Sequence, residues 1–174
     1  MVAGDIHMYS ASLVLKGRLC TVIGGGKVAL RKVERLLEAG ARVQVISPNV
    51  EPRLLELAQS GAIAYERRPY QAGDAARGFI VVAATDNRDV NRQIAQEAEQ
   101  HERFVNVVDA PGECSFQLPA SLTVGRLMVS ISTQGTDPKA AKRLKHVLTK
   151  DLIEGTCDFP QAARLWIEHS EDGR

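Results

Sequence analysis

A chain of 174 residues can bury one sizeable core with an extension, but not two full-sized domains. Its 44% hydrophobic and 25% charged residues exclude wholesale disorder, and 22 Lys and Arg against 21 Asp and Glu leave no global field for nucleic acid or an anionic membrane. Any anion site must be local, and with neither an eighteen-residue apolar run nor a signal-like pattern in residues 1–16, the expectation is a cytoplasmic protein without a membrane span.

Short Val- and Ile-rich runs alternate with stretches of helical spacing, the pattern of βαβ units around a parallel sheet. The runs are Leu19–Ile23, Arg42–Ile46 and residues 62–66, 79–83 and 104–108. Most are continuous rather than alternating, which implies burial on both faces. Between the first two, Val28, Leu30, Val33, Leu36 and Leu37 recur at helical spacing, and Gly40 follows the last apolar turn as a helix stop. Residues 52–60 read as a second helix closed by Gly61, and residues 86–100 as a third with Val90, Ile94 and Ala98 on one face. The fold class predicted is α/β, a Rossmann-like doubly wound parallel sheet.

Beyond Asp109, Pro111 and Gly112 break this pattern, and residues 115–123 and 126–133 read as two strands around Val124 and Gly125. Asp137 and Pro138 supply an N-cap and an N1 proline for a helix that continues over 140–152 and carries Lys139, Lys142, Arg143, Lys145 and Lys150. Residues 158–174 read as a last helix with a frayed tail. Three regions follow: 1–113 for the sheet domain, 114–149 for the small strand-containing region and 150–174 for a helical C-terminal part. Cys20, Cys114 and Cys157 are odd in number and widely spaced, so free thiols are expected. His7, His101, His146 and His169 show no metal-ligand spacing, and no metal site is expected.

Gly24, Gly25 and Gly26, with Lys27, Val28 and Ala29, satisfy G-x-G-x-x-A directly after a strand and directly before a helix. Gly24 would permit the tight turn, Gly26 a close approach of a pyrophosphate to the backbone, and Ala29 close packing of helix on strand. The plainer meaning is an ordinary glycine turn, which three consecutive glycines in this position disfavour. About 20 residues on, where an acidic side chain usually holds the adenosine ribose, stand Ser47, Pro48 and Asn49 instead. No arginine immediately follows that strand, which favours NAD over NADP. Ala83, Ala84, Thr85 and Asp86 lie at the carboxyl end of the fourth run, where small residues would let a cofactor pass and Asp86 would also serve as a helix cap. Asp109 emerges from the fifth run, placed either for proton transfer or for a turn before Pro111 and Gly112. Ser132, Thr133, Gln134, Gly135 and Thr136 ahead of the basic helix read either as an anion-binding turn or as a solvated charged face.

Four segments, taken together, resemble the precorrin-2 dehydrogenases of sirohaem and cobalamin biosynthesis, including the N-terminal module of sirohaem synthase. They are G-G-G-K-V-A-L-R-K at 24–32, A-A-T-D at 83–86 with the later Asn91, N-V-V-D-A-P at 106–111 and S-I-S-T-Q-G-T-D-P-K at 130–139. The resemblance covers about residues 6–152. It implies an NAD-binding domain, a central dimerisation and substrate-loop region, and a homodimer. It also implies oxidation of precorrin-2, a reduced tetrapyrrole bearing eight carboxylates, to sirohydrochlorin by NAD. By position, Asp109 matches the family's essential aspartate, and Ser132 and Thr133 its substrate loop, which ends at Lys139. Lys27, Val28, Pro48 and Asn49 match positions lining the dinucleotide. Gln134 departs from the family's usual Gly or Ser, and Asp137 from the Ser that commonly precedes the proline. Two other readings stay open: an enzyme that also inserts ferrous iron or cobalt, as some members do, and a non-catalytic NAD-sensing module.

Overall fold

The structure, a computed structural model, describes residues 8–125 and 127–154. The helix expected over 158–174, together with Cys157, His7 and His169, lies outside the described residues. The chain separates into two compact units, Ser10–Gln117 and a second that takes in the chain from Leu118 onward.

The first unit runs β1 (Leu19–Ile23), α1 (Lys27–Glu38), β2 (Arg42–Ile46), α2 (Pro52–Gln59), β3 (Ala64–Glu66), β4 (Ile80–Ala83), α3 (Arg88–Gln100) and β5 (Phe104–Val107), followed by a 3-10 turn at Pro111–Glu113. All five strands are parallel, in the order β3-β2-β1-β4-β5. This is the doubly wound α/β class expected, with the strand order reversing between β1 and β4. The continuous apolar runs are explained by burial on both faces. Cys20 and Val22 join Val33 of α1 and Leu54 of α2 in one core layer, while Ile23, Val81 and Val105 join Ile94 and Ala98 of α3 in the other. Cys20 and Cys114 are free thiols.

Element ends follow local hydrogen bonding. α1 stops where Gly40 takes the left-handed φ of 75° and its N–H donates to Leu37 O at 2.8 Å. β3 starts at Ala64 rather than at 62, because the N–H groups of Ala62 and Ile63 turn back to Leu57 O and finish α2. α3 starts at Arg88, and its cap is Asn87, whose side chain accepts from the N–H groups of Asp89 and Val90. The expectation that Asp86 caps this helix is corrected: it stands one residue too early to reach those donors.

The helix-free connection from β3 to β4 is held by ionised side chains. Arg68 donates to both carboxylate oxygens of buried Asp74, at 2.6 and 2.8 Å, and Gln71 N–H adds a third bond at 2.9 Å. Glu97 of α3 accepts from Tyr70 Oη–H at 2.6 Å, from Ala75 N–H at 3.1 Å and from Gly73 N–H. Burial and the bond to Glu97 push the Tyr70 phenol above its ordinary range, so it remains a donor. On the opposite face, Lys32 of α1 donates to Asn106 Oδ1 of β5 at 2.7 Å. Burial, with Arg35 nearby, draws its ammonium below the usual lysine range.

The second unit contains β6 (Ala120–Val124) and β7 (Leu127–Ile131), an antiparallel pair, and α4 (Pro138–Glu154), which packs on both. The pairs Ala120 with Ile131, Leu122 with Val129 and Val124 with Leu127 share one face by the period of two. Ser121 with Ser130 and Thr123 with Met128 share the other. Both strands are shorter than expected. Residues 115–119 are not strand: Ser115 instead takes and gives hydrogen bonds along the free edge of β5, with its Oγ 2.7 Å from Val105 N and its N–H 3.0 Å from Val105 O. Asp137 caps α4 as expected, its Oδ1 accepting from Ala140 N–H at 2.8 Å.

Candidate functional site

The carboxyl ends of β1, β4 and β5 lie side by side, and the residues expected to bind a cofactor and to move a proton collect there. Gly24 has φ of 123°, a backbone conformation that L side chains rarely adopt. A Cβ on it would stand 2.1 Å from Ala84 O, so glycine is what lets β1 turn beneath the β4 loop. A Cβ on Gly25 would stand 2.0 Å from Asn49 O and 2.8 Å from Ser47 Oγ. Gly25 therefore seats the β2–α2 loop, and Glu51 N–H locks it by donating to Gly25 O at 2.8 Å. Gly26 differs: its φ is −81° and a Cβ there would meet nothing within 4 Å among the described residues.

Gly26 is also the N-cap of α1, and among the described residues no side chain caps the helix; its first turn carries no acid. The first-turn N–H groups of α1 and the positive end of its dipole suit a phosphate. Lys27 and Val28 are exposed on the same turn. The room beside Gly26 and the uncapped first turn of α1 fit the phosphates of a dinucleotide.

At the adenosine end, Pro48 and Asn49 are exposed, whereas Ser47 is buried and its hydroxyl donates to Asn49 O at 2.6 Å. A ribose contact from Ser47 would therefore compete with a formed bond, whereas the Asn49 side chain makes no hydrogen bond among the described residues. Arg67, which follows β3, donates from Nε to Pro48 O at 3.4 Å. A cation does stand beside the end of β2, though not one adjacent in sequence. The pairing of Ile46 with Glu66 brings it there, and that register was the signal that could have found it.

Thr85 closes the edge of β4, and Asp109 leaves β5 with its side chain 45% exposed. Asn91 Nδ2 donates to Asp109 Oδ1 at 3.3 Å, and Arg88 Nε lies 4.0 Å from Asp109 Oδ2. Arg88 is bonded in turn to Glu113, and this, helped by Asp109, raises the guanidinium above even its ordinary range. Arg88 and Glu113 escaped the sequence reading because neither belongs to a motif and they are 25 residues apart.

Ser132, Thr133 and Lys139 belong to the second unit. Ser132 Oγ accepts from Gln134 N–H and Thr133 Oγ1 from Asp137 N–H, each at 3.1 Å, so the two hydroxyls shape the turn that precedes α4. Gln134 and Gly135 occupy left-handed φ of 52° and 80°. The departure from glycine at 134 is thus a departure at a position where the backbone itself favours glycine. Lys139 is exposed in the first turn of α4.

A separate cavity of about 570 Å³ opens beside α3 and β5, lined by Arg92, Gln96, Arg103, Phe104, Glu113 and Ser115 among others, and it contains none of the site residues expected from sequence. Among the described residues no three His, Cys, Asp or Glu side chains stand together as a metal site, and no helix is long and apolar enough to cross a membrane.

A parallel sheet with this strand order and a glycine-headed, uncapped helix at its switch point defines a dinucleotide-binding protein of Rossmann type. Comparison with known proteins narrows the class. A family profile described as "Putative NAD(P)-binding" matches residues 11–120. "Siroheme synthase" of Methylococcus capsulatus is 40% identical over 133 residues, 76% of this chain and 28% of that protein. "Siroheme synthase 1" of Aeromonas salmonicida is 42% identical over 127 residues, 73% of this chain and 27% of that protein. The chain therefore spans under a third of the length of these relatives. The solved structure of "SirC, precorrin-2 dehydrogenase" superposes with a TM-score of 0.74 at 32% identity, covering 83% of this chain and 71% of that one. The chain belongs to the NAD(P)-binding family that joins precorrin-2 dehydrogenase and sirohaem synthase.

Proposed function

We propose that this chain is an NAD-dependent precorrin-2 dehydrogenase, oxidising precorrin-2 to sirohydrochlorin as a hydride passes to NAD and a proton is released. The observation that carries this reading is the delivery of Asp109 to the edge of β5, next to the β4 loop that covers the glycine turn. Main-chain N–H groups of Gly26, Lys27 and Val28 would hold the pyrophosphate, and Pro48, Asn49 and Arg67 would flank the adenosine. Thr85 forms the lip between that cleft and Asp109. NAD, when bound, supplies the hydride acceptor. Asp109 would take the proton on Oδ2, the oxygen that Asn91 does not bond and that Arg88 Nε approaches to 4.0 Å.

Ser132, Thr133 and Lys139 are assigned to the substrate's carboxylates. The basic head of α4 supports this, since Lys139, Lys142 and Arg143 fall within its first two turns. We also propose a homodimer, supported by apolar Met128, Leu144 and Val147, each more than half exposed. A reducing cytoplasm is in keeping with the free thiols of Cys20 and Cys114.

Asp109→Asn tests the assignment: NADH binding stays intact while dehydrogenation slows by about 10² to 10⁴, the range for a general acid–base group. Unchanged turnover would remove Asp109 from the mechanism. Supplying sirohydrochlorin and ferrous iron without NAD separates metal insertion from dehydrogenation.

A further inference from the structure

Asn91, one turn into α3, is 0% exposed, an uncommon place for a side-chain amide. An amide offers two donors and two acceptor sites, and in Asn91 all are used. Oδ1 accepts from Thr85 N–H at 3.1 Å and from the Thr85 hydroxyl at 2.7 Å. Nδ2 donates to Thr85 O at 3.1 Å and to Asp109 Oδ1 at 3.3 Å. Because a carboxylate and a carbonyl are acceptors only, this pattern fixes which way the amide faces.

Three of the four bonds go to the lip of the cofactor cleft, and the fourth crosses from the end of β4 to the end of β5. The buried Nδ2 needs an acceptor for its second proton, and any backbone carbonyl would serve for that; the acceptor the fold supplies is instead the carboxylate of Asp109, whose side chain is 45% exposed and could be solvated without it. We infer that Asn91 is a positioning residue for the reaction, acting through Asp109. It sets the carboxylate against the cofactor loop so that the proton acceptor and the hydride acceptor keep a fixed separation. The inference rests on the dehydrogenase reading above.

Geometry of this kind has kinetic weight, because a misplacement of about 1 Å in a reacting group lowers rate by about 10²-fold. Asn91→Ala is therefore expected to lower kcat by about 10- to 100-fold with KM changed by less than about threefold. The decisive comparison is a double-mutant cycle, with turnover read as NADH formed from precorrin-2 and NAD. In an Asp109→Asn background the same Asn91→Ala change should cost less than about threefold, because the group it positions is already gone. Equal losses in both backgrounds would show that Asn91 is merely structural and overturn the inference.

If Asn91→Ala does not fold, Asn91→Asp decides. It is isosteric and keeps the acceptor for Thr85, but sets a second carboxylate against Asp109. Two carboxylates so close share one proton, so the acidic limb of kcat/KM should move up by at least about one pH unit, with activity lost at a higher pH than in wild type as pH falls. A profile parallel to wild type would overturn the inference. A wild-type chain that forms no NADH from precorrin-2 would instead overturn the dehydrogenase reading, and the positioning role with it.

Discussion

The three glycines between β1 and α1 are not equivalent, and single alanine substitutions should separate a folding role from a binding one. At Gly24 the φ of 123° is essentially closed to alanine, and the new Cβ would overlap Ala84 O at 2.1 Å and Ala84 C at 2.5 Å. Holding a non-glycine residue in such a conformation costs about 1–3 kcal/mol, and forcing an extra methyl into a packed site about as much again. The combined penalty, about 2–6 kcal/mol, is a large part of the roughly 5–15 kcal/mol that holds a domain folded. For a chain of this size it should lower Tm by about 5–20 °C. At Gly26 the φ of −81° is ordinary and the Cβ meets nothing within 4 Å among the described residues. A poorer N-cap and a stiffer unfolded chain nearly offset each other there, so Tm should move by less than about 3 °C. The methyl would nonetheless stand in the open space before the uncapped first turn. Losing charge-assisted N–H contacts to a phosphate, worth about 1.5–3 kcal/mol, should weaken NADH binding by about 10- to 100-fold. Thermal unfolding and NADH fluorescence titration read the two effects separately. A Gly26→Ala chain that binds NADH like wild type would refute the assignment of that space to pyrophosphate, and a Gly24→Ala chain of unchanged Tm would refute the steric argument.

Asp74 gives the fold a pH dependence of definite sign. Burial pushes its carboxyl up, but the bonds from Arg68 and from Gln71 N–H outweigh this and hold it below the usual range. The stabilisation is therefore complete above the unfolded value near pH 4 and lost as pH falls through the folded value. Asp74→Asn should cost about 3 kcal/mol in urea unfolding at pH 7, with a clearly smaller difference from wild type at about pH 3; an undiminished difference would contradict the assignment. Gln134→Gly, at φ of 52°, should stabilise the chain by a few tenths to about 1 kcal/mol in the same assay, whereas a loss would show that the left-handed turn carries no strain. Thr21, fully buried in β1 with no partner for its hydroxyl among the described residues, should tolerate Thr21→Val with a gain of about 1 kcal/mol, and destabilisation would reveal a hidden partner.

The parallel sheet was legible in sequence because its inner strands are buried on both faces, so β1 and β4 show as unbroken apolar runs. The glycine turn was legible because its neighbours on either side, a strand and a helix, supply the context that the motif needs. What escaped depends on contacts between distant segments. Residues 115–119 have strand-like composition, yet Cys114 and Ser115 satisfy the edge of β5 through their side chains, with Val107 N–H donating to Cys114 Sγ at 3.2 Å. Composition does not distinguish a strand from a chain that caps a strand's edge. The choice of Asn87 over Asp86 as the α3 cap is of the opposite kind. Both side chains can cap, they are adjacent, and only the backbone dihedrals decide. At the site, Asp109 and Asn91 stood out through their motifs, but the bond between them is set by α3 crossing the ends of β4 and β5. Arg67 and Arg88 became visible only with the strand register and the 3-10 turn in place.

The proposed reaction passes a hydride from precorrin-2 to NAD. Incubating it with precorrin-2 and NAD, while following NADH and the sirohydrochlorin spectrum together, tests that directly. The two products should appear in step, about one NADH for each sirohydrochlorin, and neither should form without NAD. Sirohydrochlorin formed at a rate indifferent to NAD, or no NADH at all, would contradict the account.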